Sequence, residues 1–255
     1  MQVAYKTFPL MLLFAFITAC TTATANTPVP TATAVQWDIS PTALVIRSYT
    51  GPAIGVTYDP NYYVPEAQVW GDGRIIWVED AQAYPRRVLI GHLTTDQMES
   101  LLQRIADTGF FDWANGYGIG GSTHQPWHLS VNVSGHTKEV IAYDDTAPDA
   151  YFELIDFLSH GAGATGSDFE PRRGYLTARC WPIEEVTPSA QWADATAGFT
   201  LDQVGDGRYI EGQALSFAWQ TINQYPTAPV YVKSNGQTCV IMVQIPGVSF
   251  YEPPP

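Results

Sequence analysis

Two strand-rich runs, Val230 to Ser234 and Gln237 to Ile245, are separated only by Asn235-Gly236, and that pairing constrains the chain more than any other stretch. Asn-Gly suits a two-residue hairpin turn because both positions take positive φ, which Gly tolerates without cost and Asn better than most residues. A two-residue loop leaves one register. Val232 then lies opposite Cys239 and Val230 opposite Ile241, so Cys239, Ile241, Val243 and Ile245 share an apolar face. A second alternating run puts Leu176, Ala178 and Cys180 on one face of another strand. Both thiols are therefore expected to point toward a core.

Other segments carry hairpin and helix signals in alternation. Gly71-Asp72-Gly73 sits between the strand-like runs Ala67 to Trp70 and Arg74 to Glu79. Thr94 with Gln97 three residues later has the form of a capping box, and Met98, Leu101, Leu102 and Ile105 follow at helical spacing toward a stop at Gly109. Leu129, Val131 and Val133 alternate with polar residues before a turn at Ser134-Gly135-His136 leads into Thr137 to Tyr143. A second helix is expected to follow, with Pro148 in its first turn, Asp145 or Thr146 as its cap, and Tyr151, Leu154, Ile155 and Leu158 on one face. Gly161 to Ser167 has no apolar periodicity and reads as a linker. A third helix is expected from Gly212 to Gln224, ended by Pro226.

These signals predict an α+β fold of antiparallel hairpins covered by amphipathic helices, open to a division into two similar small subdomains. The boundaries read from the sequence are a first α+β domain at 37–160, a Gly-rich linker at 161–173 and a second domain at 174–252. Gly71-Asp72-Gly73-Arg74 and Gly205-Asp206-Gly207-Arg208 are identical tetrads, but 64 residues separate Gly71 from Gly135 and 31 separate Gly205 from Gly236, which argues against duplication. A Gly-Asp-Gly hairpin, the helix-bearing stretch Leu93 to Phe111 and the hairpin Trp127 to Tyr143 together resemble uncharacterised extracytoplasmic domains of bacterial lipoproteins. The resemblance covers about a third of the chain and implies a fold without an activity.

The N-terminus points the same way. Lys6 is followed by an apolar stretch from Phe8 to Ile17, broken only by Pro9, and the stretch closes on Ile17-Thr18-Ala19-Cys20. The run is about half the 18 to 20 residues a membrane-spanning helix needs. It resembles the lipobox of bacterial lipoproteins, which implies a signal peptide at 1–19, cleavage before Cys20 and lipidation of Cys20. Residues 20–36, built almost wholly of Thr, Ala and Pro after the cysteine, cannot bury a core and read as a tether reaching at most roughly 40 to 45 Å. The expected location is extracytoplasmic and membrane-anchored, on the outer face of the cytoplasmic membrane or on an outer membrane.

With Cys20 assigned to lipid, Cys180 and Cys239 remain, and outside the cytoplasm they are expected to form a disulfide. Two buried free thiols are the alternative. Loss of Lys6 leaves 11 basic against 25 acidic residues, a net charge of −14. That surface repels phosphate backbones and anionic headgroups, so no nucleic acid is expected as a partner and membrane contact should run through the lipid on Cys20.

Chemistry is sparsely signalled. The run Gly116 to His124 is glycine-rich but leads into a strand, which does not suit phosphate binding at a helix N-terminus. His124 and His128 are weak metal candidates, with Asp112 or Asp144 as a third ligand, and Pro126 between them argues against a shared helix. There is no Gly-x-Ser-x-Gly elbow and no His-Glu-x-x-His motif, and no cofactor is expected. Trp113, Tyr117 and Trp127, which bracket the glycine run, are candidate ligand-contacting aromatics. The reading that follows is a lipid-anchored cell-envelope protein, a non-enzymatic binding or assembly module whose partner is an envelope protein or a glycan. A hydrolase acting on polysaccharide or peptidoglycan is the alternative.

Overall fold

Arg74-Ile75-Ile76-Trp77-Val78 is apolar at four successive positions after the arginine, and a strand of that kind has to be buried on both faces. The computed structural model, which describes residues 35–51, 64–80, 85–118, 125–182, 187–188, 190–224 and 230–250, bears this out. Ile75 and Trp77 join one buried cluster and Ile76 and Val78 another. The stretch is the third of eight strands in a sheet formed by β1 (Leu44–Thr50), β2 (Ala67–Trp70), β3 (Arg74–Val78), β4 (Val88–His92), β5 (Gly116–Tyr117), β6 (Trp127–Val133), β7 (His136–Ala142) and β8 (Ser167–Asp168). The order across the sheet is β5-β7-β6-β1-β2-β3-β4-β8, antiparallel throughout except where β5 meets β7.

Two helices cover the first face. In α1 (Thr95–Asp107) the capping box forms as expected: the Gln97 amide donates to Thr94 Oγ1 at 3.2 Å and the Thr94 amide to Gln97 Oε1 at 2.8 Å. Its buried residues are Met98, Leu101, Leu102 and Ile105, the four read from spacing. In α2 (Asp149–Ser159), Tyr151, Leu154 and Leu158 are buried, whereas Ile155 is half-buried. The expected cap on α2 is corrected. Pro148 occupies the N-cap with no side-chain hydrogen bond, and the Thr146 amide donates instead to Asp144 Oδ1 at 3.0 Å, a local turn that ends before the helix.

The second sheet contains β9 (Gly174–Trp181), β10 (Ala190–Gln191), β11 (Arg208–Ile210), β12 (Val230–Ser234) and β13 (Gln237–Gln244), in the order β10-β12-β13-β9-β11. The short helix α3 (Asp194–Ala197) and the longer α4 (Gly212–Gln224) accompany it. Asn235 and Gly236 both have positive φ, and the register is the one their spacing demands, with Val232 opposite Cys239 and Val230 opposite Ile241. β9 pairs with the other edge of β13, which brings Cys180 directly opposite Cys239. The two are joined by a disulfide, with Cys239 in the core and Cys180 half-buried against it.

Ala34–Pro255 forms one compact unit. Ile76, Val78 and Val88 of the first sheet share a buried cluster with Leu176, Ile241 and Val243 of the second and with Leu215 of α4. Hydrogen bonds cross as well: Gln68 Nε2 donates to the Val248 carbonyl at 2.7 Å, and the Arg86 amide to that of Asn223 at 2.9 Å. The glycine-rich stretch after α2 is itself packed. A Cβ on Gly166 would stand 2.3 Å from the Trp77 ring and one on Gly161 2.8 Å from it, so these glycines let the backbone lie against an indole. Ser167–Asp168 then pairs with β4 as β8.

Gly71-Asp72-Gly73 turns β2 into β3, while Gly205-Asp206-Gly207 follows a 3-10 turn and leads into β11, so the identical tetrads occupy different structural settings. The signal peptide and Cys20 lie outside the described residues. Of the expected tether only Val35 and Gln36 are described, and both are engaged: Val35 packs on the first cluster and the Gln36 carbonyl accepts from the Ser134 amide at 2.8 Å.

Candidate functional site

Where the two sheets meet, the start of β3, the middle of β4, the segment 168–173 and the chain just after β13 border an open groove of about 730 Å³. That is within the size range of small-ligand sites. Its floor is apolar, formed by Ile90, Phe169, Pro171, Ile245 and Pro246. Phe169 is fixed by a hydrogen bond from its amide to the Val88 carbonyl at 2.8 Å and by an edge contact of its ring with Trp219 at 5.7 Å. Arg74, Arg172 and Arg173 share the lining with Asp168 and Glu170.

Two of the three arginines, Arg74 and Arg173, are held by rings rather than by carboxylates. The Gly71-Asp72-Gly73 turn places Arg74 at the first position of β3, where its amide donates to Asp72 Oδ1 at 3.1 Å. Its guanidinium lies 4.3 Å from the Trp70 ring centroid, Nη2 donates to the Pro41 carbonyl at 3.1 Å, and Nε is buried without a hydrogen-bond partner. Arg173 lies 3.6 Å over the Tyr209 ring. A ring face engages the flat of a guanidinium and leaves its N–H edge for an anion.

The acidic side is partly committed. Arg87 binds both Asp168 and Glu79, and its hydrogen bond holds the Asp168 carboxyl below the usual carboxylate range. Glu170 makes no ion pair among the described residues. Three guanidiniums therefore face one uncommitted carboxylate in a chain whose formal net charge is −13. Arginine stays protonated and donates only, so this lining can bind and orient an anion.

The sequence-derived candidates lie elsewhere, on the first cluster. Trp113 meets Phe110 edge-on at 5.6 Å and Tyr151 at 6.4 Å, and Trp127 meets Phe152 edge-on at 5.8 Å. Tyr151 and Phe152 touch in turn at 5.3 Å, so the two tryptophans belong to one chain of ring contacts along α2. Tyr117 is half-buried, and its hydroxyl oxygen accepts from the Ala114 amide at 3.2 Å. All three are anchored by packing.

His128 stacks on Tyr49 with centroids 4.3 Å apart and lies 3.1 Å from Glu139 Oε1, which also accepts from the Tyr49 hydroxyl at 3.2 Å. The hydrogen bond from His128 is the main reason the Glu139 carboxyl is held below its ordinary range. His124 lies outside the described residues. Asp112 is exposed and Asp144 is engaged with Thr146, and among the described residues no three His, Cys, Asp or Glu side chains converge on a metal position.

The arginines were not among the sequence candidates. Their only signal is Arg172-Arg173 between Pro171 and Gly174 in an acid-rich chain, and nothing in the spacing links that doublet to Arg74, about a hundred residues earlier. No helix among the described residues is long and apolar enough to cross a membrane. Compared with known protein families, curated proteins and solved structures, the chain matches none.

Proposed function

We propose that this chain is a lipid-anchored protein of the bacterial cell envelope that acts as a non-enzymatic binding module, with the arginine-lined groove as its ligand site. The observation that carries the binding reading is the pair Arg74 and Arg173, each held on an aromatic face beside an apolar floor. Such an arrangement is organised before a ligand arrives, so little side-chain entropy is lost on binding. The Ile17-Thr18-Ala19-Cys20 sequence supports the anchor, and the Cys180–Cys239 disulfide supports an oxidising compartment.

Two experiments test this. Cys20→Ser should abolish processing and release the protein from the membrane fraction; unchanged mass and membrane association would rule out the anchor. For binding, the wild-type chain and the Arg172→Gln/Arg173→Gln variant are each used to capture ligand from envelope extract. A ligand retained by the wild type and lost by the variant is the expected result. Equal capture by both, or capture by neither, would overturn the groove as the ligand site.

A further inference from the structure

We infer that the groove takes an extended acidic segment of a partner protein, with its carboxylates on Arg74, Arg172 and Arg173 and its apolar side chains on the floor. This rests on the binding-module reading and names the chemical class of the ligand. The lining itself discriminates between classes. Among the described residues it contains five apolar residues, three arginines and two acids, and no Asn, Gln, Ser or Thr. A glycan presents many neutral hydroxyls, which need neutral donors and acceptors and an open aromatic face to stack on. Here the one aromatic ring on the floor among the described residues, Phe169, already makes an edge contact with Trp219. A bare phosphate would satisfy the arginines but leave the partly exposed Ile90 and Phe169 uncovered.

An extended peptide meets both demands at once. Its side chains alternate between two faces, so carboxylates at every second position can meet guanidiniums while the residues between them lie on an apolar surface. Charge complementarity is local. Across the whole chain 25 acidic residues oppose 12 basic ones, but at physiological salt charges beyond about 8 Å are largely screened. The contact arginines then dominate, and the uncommitted Glu170 disfavours a segment that is acidic at every position.

The test uses the full-length chain in detergent and fluorescence anisotropy with a labelled peptide of alternating Glu and Leu. Binding is expected, at least about tenfold weaker when Gln replaces Glu, because charge-assisted bonds to guanidinium are lost. Arg172→Gln/Arg173→Gln should weaken it by a similar factor, with the near-ultraviolet circular dichroism of the wild type retained, since both side chains are exposed. Arg74→Gln serves as the second variant. Equal affinity for the Gln peptide would overturn the inference. So would displacement by polygalacturonate at equal carboxylate concentration, or competition by a second copy of the chain. If the peptide does not bind while arginine-dependent capture from envelope extract persists, the ligand class is wrong and the binding-module reading stands. If that capture also fails, both fall.

Discussion

The eight-stranded sheet carries α1 and α2, of 13 and 11 residues, on one face and shares the other, over β3 and β4, with the second half of the chain. The five-stranded sheet has a single long helix, α4, and a disulfide between its central strand, β13, and the neighbouring β9. The contrast shows two ways of holding a sheet. The larger one buries Phe110, Tyr151 and a row of leucines between the sheet and its two helices, and apolar area does most of the stabilising. The smaller one has fewer strands to cover and adds a covalent constraint where Cys180 and Cys239 face each other. The groove lies where these two regions meet, so its lining depends on both.

The largest expected effect is on the smaller sheet. Replacing Cys180 and Cys239 together by Ala should cost about 4 kcal/mol in the chain-entropy model for a separation of 59 residues. Thermal denaturation should then show one transition lowered by roughly 10 °C. A loss near zero would mean that burial holds both sheets and the contrast is false. Gly166→Ala comes next. Its Cβ would stand 2.3 Å from the Trp77 ring, and overpacking of this kind costs about 2 kcal/mol, to be read from denaturant unfolding. An unchanged midpoint would mean that the 161–173 segment does not bear on the larger sheet.

Thr94→Ala removes the capping-box acceptor of α1 and should cost about 1 kcal/mol, confined to the larger sheet. Hydrogen exchange should show it as faster exchange in the first turn of that helix. The smallest effect is a pH dependence. The Glu139 carboxyl is held low in the folded state, so the unfolded chain binds more protons through that range. Its contribution is present above the ordinary glutamate pKa of about 4.3 and is lost as pH falls through the folded value. Glu139 is only partly buried, so solvent screens the interaction and its contribution stays below about 1 kcal/mol. His128→Gln should flatten that acid limb in denaturant titrations, and an identical limb would remove His128 as the cause.

Much of the larger sheet was legible because its signals are local. A capping box, a Ser134-Gly135 turn and a 3.6-residue apolar period each depend on a few neighbouring residues, and all three appear where spacing put them. The Val232–Cys239 register was legible for the same reason. The glycine-rich stretch was harder to read. Absence of periodicity describes a linker and a segment pressed against an indole equally well, and only the position of Trp77 separates the two. The four-residue apolar run in β3 signals burial on both faces, yet the second layer comes from residues a hundred or more positions later.

The groove was the least legible part. Its arginines come from two distant segments, and their ring partners Trp70 and Tyr209 carry no pattern of their own. Trp113 and Trp127, by contrast, stood out by type beside a glycine run, and their places in the chain of ring contacts along α2 are set by tertiary packing.

The central claim, that the meeting of the two sheets forms an arginine site for an acidic ligand, is tested most directly by nuclear magnetic resonance of the arginine side chains. The Nε–H signals of the nitrogen-labelled chain would be followed as the alternating Glu and Leu peptide is added. Those of Arg74, Arg172 and Arg173 should shift together and saturate with one affinity, while that of Arg104, stacked on Phe157 and outside the groove lining, stays in place. Uniform shifts across all arginines, or none at Arg74 and Arg173, would contradict it.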